Sequence, residues 1–190
     1  LISGEDDKRL LVNRIYTAVI GRDPQLYDYI NINKRQFKTP KKSIVNTLKE
    51  WHKDKLHLFM KGEASLKTPD QLFSMVSRKI KADRYNLVII DNLMSVLDSR
   101  SASDKYEDQA NFVQRCCDLA KLYHTHIMIV LHPNKTFRKG ESMDFEQISG
   151  NSDMSNKADN IIAITREYAA DKMGQGVDGY AEVLKNRYFS

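Results

Sequence analysis

Two cysteines in 190 residues, adjacent to each other as Cys116 and Cys117, leave no disulfide framework to hold a fold together. Set within a helical pattern, they read as small buried or half-buried apolar side chains. A chain without cross-links fits a reducing, intracellular setting. No apolar run approaches the ~20 residues of a membrane span, and the chain does not open with a signal peptide. Repeats, low-complexity runs and Gly/Ser linkers are missing as well, so residues 1–190 are expected to form a single domain. The core must come from ordinary packing, and a composition of 41% hydrophobic and 29% charged residues is enough to supply it. The net charge of +5 suits a polyanionic partner, but only the position of the charges makes that informative.

What is present alternates between strand and helix signals. Leu1-Ile2-Ser3 looks like the end of a strand. Leu11, Ile15, Ala18 and Val19 then recur at helical spacing until Gly21 and Pro24 stop them. Residues 22–38 are polar and carry no clear assignment. Thr39-Pro40 predicts a helix start, with Thr as cap and Pro at the first helical position, followed by the stripe Ile44, Val45, Leu48 and Trp51. Leu56 to Met60 reads as a strand. Thr68-Pro69-Asp70-Gln71 repeats the helix-start signal ahead of Leu72, Phe73, Met75, Val76 and Ile80.

Leu87-Val88-Ile89-Ile90-Asp91 predicts a parallel strand covered on both faces. A long helix from about Asp104 to Tyr123 follows, and a strand from Ile127 to Leu131 ends in His132-Pro133. Residues 133–152 are loop-like. Strands near 160–165 and 180–187, joined through Gly174, Gly176 and Gly179, suggest an antiparallel hairpin on one edge. Such alternation means right-handed crossovers and an α/β sheet.

In open α/β sheets, ligands sit at the carboxyl ends of the parallel strands. Glu5, Asp91 and His132 are the polar residues expected there. Asp91 has the pattern of an acid that holds a hydrated Mg²⁺ beside nucleotide phosphates, although strand-end Asp also caps helices. Glu5 is placed to polarise an attacking water, or simply to complement a helix dipole. His132 is a candidate contact to a terminal phosphate, against the plainer reading of an ordinary polar residue. Lys185 and Arg187, two apart on a strand, point to one side. They suit a neighbouring subunit's phosphate site or a solvated, aggregation-resistant edge. Lys135, Arg138, Lys139, Gly150 and Asn151 offer cations and exposed amides for a phosphodiester backbone, with Phe137 or Phe145 as a stacking aromatic; the alternative is a charged loop.

In order and spacing these segments resemble the DnaB-like replicative helicases. Ile2-Ser3-Gly4-Glu5 resembles the strand-plus-Glu segment after their phosphate loop, and Leu87–Asp91 resembles their Walker B strand. Ile129 to Pro133 is similar to their sensor strand, in the His version found in Twinkle and phage primase-helicases. Ile148-Ser149-Gly150 through Ile162 looks like the end of their DNA-binding loop, and Val183 to Arg187 looks like their finger strand. The resemblance implies a RecA-like P-loop NTPase core that binds ATP and Mg²⁺, forms a hexamer and translocates on single-stranded DNA. It implies Asp91 as magnesium ligand, Glu5 as water activator, and His132 as γ-phosphate sensor. Lys185 and Arg187 would act in trans, and a primase or helicase loader is an implied partner. The implied setting is the cytoplasm or nucleoid of a bacterial or phage-infected cell, ahead of an organelle matrix.

One departure is plain: no G-x-x-x-x-G-K-[ST] occurs in the 190 residues, so a chain trimmed on the amino-terminal side of a RecA-like domain is expected. Gly4 also stands where a larger residue often precedes the Glu. Two rival readings stay open, another RecA-like ATPase such as a recombinase or repair paralogue, and a non-catalytic RecA-like module for DNA binding or assembly.

Overall fold

The computed structural model describes residues 1–4, 7–32, 34–60, 68–93, 102–133, 152–167 and 178–188. The chain divides into two compact units, Leu1–Ala64 and Ser65–Ser190. The class is α/β as expected, and each unit contains a pair of parallel strands.

In the first unit β1 (Ile2–Ser3) pairs in parallel with β4 (Phe59–Met60). Helix α1 (Lys8–Ile20) starts where the Asp7 carboxylate accepts from the Leu10 amide at 3.0 Å. It stops at Gly21, whose φ of +75° is a conformation that side chains resist. Leu11 and Tyr16 are buried, while Ala18 and Val19 of the expected stripe are exposed. The Tyr16 hydroxyl lies 2.7 Å from His52 Nε2 and ties α1 to α2 (Lys42–His52).

Two expectations are corrected here. Much of the unassigned stretch 22–38 and the supposed helix start at Thr39-Pro40 lie instead in the two strands of a β-hairpin. Strand β2 (Tyr27–Ile32) runs antiparallel to β3 (Arg35–Pro40), with Tyr27 opposite Pro40. Helix α2 then begins at Lys42, and its N-cap Lys41 makes no side-chain cap bond. A Thr cap contributes only about 1 kcal/mol. The hairpin instead pairs a whole strand and buries Tyr27 and Pro40, so it outweighs the local signal. The strand expected from Leu56 shrinks to Phe59–Met60, because the Lys55 and Leu56 amides bond back to the His52 carbonyl at the end of α2.

The second unit opens with α3 (Pro69–Asp83), where Thr68 Oγ1 accepts from the Gln71 amide at 3.2 Å and Pro69 takes the first turn, as expected. Leu72, Met75, Val76 and Ile80 are its buried face. Strand β5 (Leu87–Asp91) has the expected bounds and pairs in parallel with β6 (His126–Ile129). The expected extension of β6 to Leu131 is not strand, although the Val130 amide still donates to the Ile90 carbonyl at 2.9 Å. β5 is also less evenly covered than expected: Val88 and Ile90 are buried, whereas Leu87 is exposed. Helix α4 (Ala102–Tyr123) packs against α3 and β6, burying Ala110, Phe112, Val113, Cys116 and Leu119, while Tyr123 lies exposed. Arg115 stacks on the Phe73 ring and bonds Asp70, fastening α4 to α3.

After α5 (Ser152–Lys157), strands β7 (Asn160–Glu167) and β8 (Asp178–Asn186) form the expected antiparallel hairpin, with an irregularity between Ile161 and Ile162. Among the described residues it is a two-stranded sheet of its own, not the edge of a larger one. Its attachment runs through side chains that reach α5. No helix among the described residues is long and apolar enough to cross a membrane.

Phe112 is 1% exposed at the centre of α4. Phe112→Ala should therefore lower stability by about 3–5 kcal/mol, read as the shift of a urea midpoint followed by far-UV circular dichroism. A loss below about 1 kcal/mol would show that α4 does not anchor this core.

Candidate functional site

Parallel pairing sends the carboxyl ends of β5 and β6 to the same edge. Asp91 is the last residue of β5 and is half-buried; Asn92 follows it and is 1% exposed. His132 stands three residues beyond β6 and is exposed. The Asn92 side-chain amide and His132 Nε2 are 2.7 Å apart. An amide nitrogen only donates, so His132 Nε2 is the acceptor in this contact. The backbone holds the two ends in place, since the Leu93 amide donates to the Val130 carbonyl at 3.2 Å.

Two expected site residues, Asp91 and His132, are thus brought to one lip, and Asn92 joins them. The sequence reading missed Asn92. Its signal was a second polar residue directly after the acid of an apolar strand, where a buried amide needs a partner. Among the described residues no group of three or more His, Cys, Asp or Glu is arranged to hold a metal. A Mg²⁺ ion needs only one or two protein carboxylates, since water and phosphate supply its other ligands. Asp91 fits such an ion, whereas the lysine and hydroxyl of a phosphate loop are not in this sequence.

The strand expected to reach Arg187 ends at Asn186, so Lys185 lies in β8 and Arg187 just beyond it; both turn to the carboxyl end of α5. Lys185 Nζ donates to the Ser155 and Asn156 carbonyls, each at 2.8 Å. Arg187 donates to the Asn156 carbonyl at 2.8 Å and to Asp159 Oδ1 at 3.0 Å. Cations at a helix carboxyl end satisfy its orphan carbonyls and its dipole. Lys121 also approaches Asp159, at 3.7 Å. Burial lowers the Lys185 pKa, and the Arg187 charge adds to the effect.

The two cysteines lie under this clasp. Cys116 is buried and its thiol is pushed up to about 12, by desolvation first and then by Cys117. Cys117 is raised by burial and then by the charge of Asp159. Its Sγ lies 3.5 Å from the Lys157 carbonyl. Both sit as the buried and half-buried residues expected. Glu5, Lys135, Arg138, Lys139, Gly150 and Asn151, with Phe137 and Phe145, lie outside the described residues.

Residues 1–137, more than half of the chain, match the family model of the AAA domain. The matched stretch takes in Asp91 and His132 and ends before Lys185 and Arg187. No curated protein matches the chain.

The clasp makes a testable coupling. Asp159→Ala removes a negative charge that raises the Cys117 pKa, so the thiol should ionise at lower pH and alkylate faster with iodoacetamide at pH 8. Cys116 should stay unlabelled until the protein unfolds. An unshifted pH–rate profile for Cys117 would show that Asp159 does not govern its charge.

Proposed function

This chain belongs to the AAA domain family, the AAA-type P-loop ATPases, and from that premise we propose that it is the motor of a ring-forming, DnaB-like replicative DNA helicase. It translocates along single-stranded DNA as a hexamer and unwinds duplex, driven by ATP with Mg²⁺. The observation that supports this best is Asp91 at the carboxyl end of β5, joined through Asn92 to His132 at the end of the neighbouring parallel strand. A bound Mg²⁺–ATP supplies the phosphoanhydride to be cleaved and a Lewis acid for the developing charge.

The chain's own residues then have distinct tasks. Asp91 would hold the metal. Glu5 takes a proton from the attacking water. His132, its ring oriented by Asn92, reports the state of the terminal phosphate to the segment that follows it. That segment carries Lys135, Arg138 and Lys139, with Gly150 and Asn151 beyond, and it grips the DNA backbone. Lys185 and Arg187 complete the site of an adjacent identical subunit. A primase or helicase loader is the expected further partner, in the cytoplasm or nucleoid of a bacterial or phage-infected cell.

A second reading, a non-catalytic RecA-like module, draws support from one observation: both finger candidates bond within their own subunit. It predicts that Glu5→Gln leaves function intact.

The test measures ATP hydrolysis and forked-duplex unwinding by the product of the whole coding sequence. Asp91→Asn should cut DNA-stimulated hydrolysis by about 100-fold or more. Arg187→Ala should cut it by about 1,000-fold while nucleotide binding to single subunits survives. Hydrolysis that ignores single-stranded DNA, or no unwinding at all, would defeat the helicase reading. Wild-type hydrolysis by Arg187→Ala would defeat the finger assignment alone.

A further inference from the structure

The whole positive excess of the chain lies in its first unit. Residues 1–64 hold 13 Lys and Arg against 8 Asp and Glu, which accounts for the net +5. Residues 65–190 hold the remaining 17 of each sign and are neutral. Within the first unit, the β2–β3 hairpin carries Lys34, Arg35 and Lys38 against a single acid, Asp28.

Only the base of that hairpin is built into the fold. Tyr27 is 4% exposed, and its hydroxyl donates to the Gly21 carbonyl at 2.6 Å. Pro40, opposite Tyr27, is buried too, and the Lys41 amide closes the base on the Leu26 carbonyl at 3.0 Å. Tyr29 is 48% exposed, Ile30 49% and Phe37 51%. A two-stranded hairpin is marginal by itself, and large apolar side chains left about half exposed add little to its stability.

The register sorts these residues into two faces. Ile30 pairs with Phe37, and Arg35 lies two positions from Phe37 on the same side. Tyr29 pairs with Lys38 on the other side. Each face therefore sets an exposed aromatic ring beside an exposed cation. Lys38 already shows the affinity of such a pair, its ammonium lying 4.7 Å from the centre of the Tyr27 ring. An apolar protein surface would match the rings and strand three cations. A duplex would match the cations and leave the rings in water. Single-stranded nucleic acid matches both, by base stacking on the ring and phosphate contact at the cation.

We propose that the β2–β3 hairpin is a single-strand nucleic-acid contact, with Phe37 as the stacking platform of one face and Arg35 as its phosphate ligand. It is separate in sequence from the Lys135–Asn151 segment, and it rests on the proposed single-stranded track only for the choice of DNA over RNA.

The test uses the 190-residue chain and fluorescence anisotropy with a labelled oligo-dT of about 20 nucleotides, a length beyond the ~4–16 nucleotides of one small binding fold. Phe37→Ala should weaken binding by about 10-fold, and Phe37→Trp should restore it, because any π face will stack. Arg35→Ala should weaken binding and reduce the salt slope by about 0.7, the loss of one phosphate contact on a single strand. Unchanged affinity in Phe37→Ala and Arg35→Ala overturns the hairpin assignment and leaves the single-stranded track standing. No binding by the unmutated chain overturns both. Loss of self-association in the same variants, with DNA affinity intact, assigns the hairpin to a protein contact and also overturns the proposal. Tighter binding to oligo-rU of equal length overturns only the choice of DNA.

Discussion

The parallel pairing of β5 with β6 is the constraint on which the candidate site depends. A parallel strand cannot be closed by a tight turn, so the chain must cross over through a helix before returning. α4 is that crossover, and it packs against β6 and against α3. The same pairing sends both strands' carboxyl ends to one edge. Ile90 lies opposite Ile129, so continuing the register puts Asn92 level with Leu131, one residue short of His132. The 2.7 Å contact between Asn92 and His132 follows from that offset. A slip of one residue would turn Val88 and Ile90 out of the core and separate the two side chains. Core and site are therefore set by one choice of register.

Much of this was legible because period and boundary signals agreed. At Thr68-Pro69 the cap, the first-turn proline and the apolar stripe all pointed to one helix, and α3 begins there. At Leu87–Asp91 four apolar residues ended in an acid, and β5 has those bounds. At Thr39-Pro40 the same two-residue signal misled. There it competed with pairing to Tyr27–Ile32, a strand whose Tyr27 faces Pro40 from far upstream, beyond the reach of a local motif. The Tyr- and Ile-rich run before Asn33-Lys34 was the evidence for that strand, since aromatic and β-branched residues ahead of a short polar break favour a hairpin. Asn92 was legible as a polar residue after the acid, but not as a partner of His132. Its role depends on a side chain forty residues away, which no spacing rule reports.

Charge is divided unevenly between the two units, and this changes what the basic pI means. Arg115, Lys121, Lys185 and Arg187 in the second unit are engaged with acids, ring faces or helix carbonyls. Their charge serves packing, and a neutral unit exerts little long-range pull on a polyanion. The excess that remains sits with the first unit, where the hairpin's cations are exposed. A net count over the whole chain hides that contrast, because the second unit's equal numbers of acids and bases cancel.

The clasp at α5 bears directly on how a trans-acting finger would work. To reach another subunit's phosphates, Lys185 and Arg187 must release four hydrogen bonds to Ser155, Asn156 and Asp159. At about 1 kcal/mol net for each bond, release costs on the order of 4 kcal/mol, and less for Arg187, which is 41% exposed and can exchange its partners for water. A finger that accelerates phosphoryl transfer 10³- to 10⁵-fold stabilises the transition state by about 4–7 kcal/mol. The two quantities are of the same order, so the cations are neither locked in place nor free to swing at no cost. On the proposed reading, a finger held this way commits to its neighbour only when a phosphate there repays the lost bonds. Release of the carboxyl end of α5 would then accompany each engagement, and that helix directly follows the segment assigned to DNA.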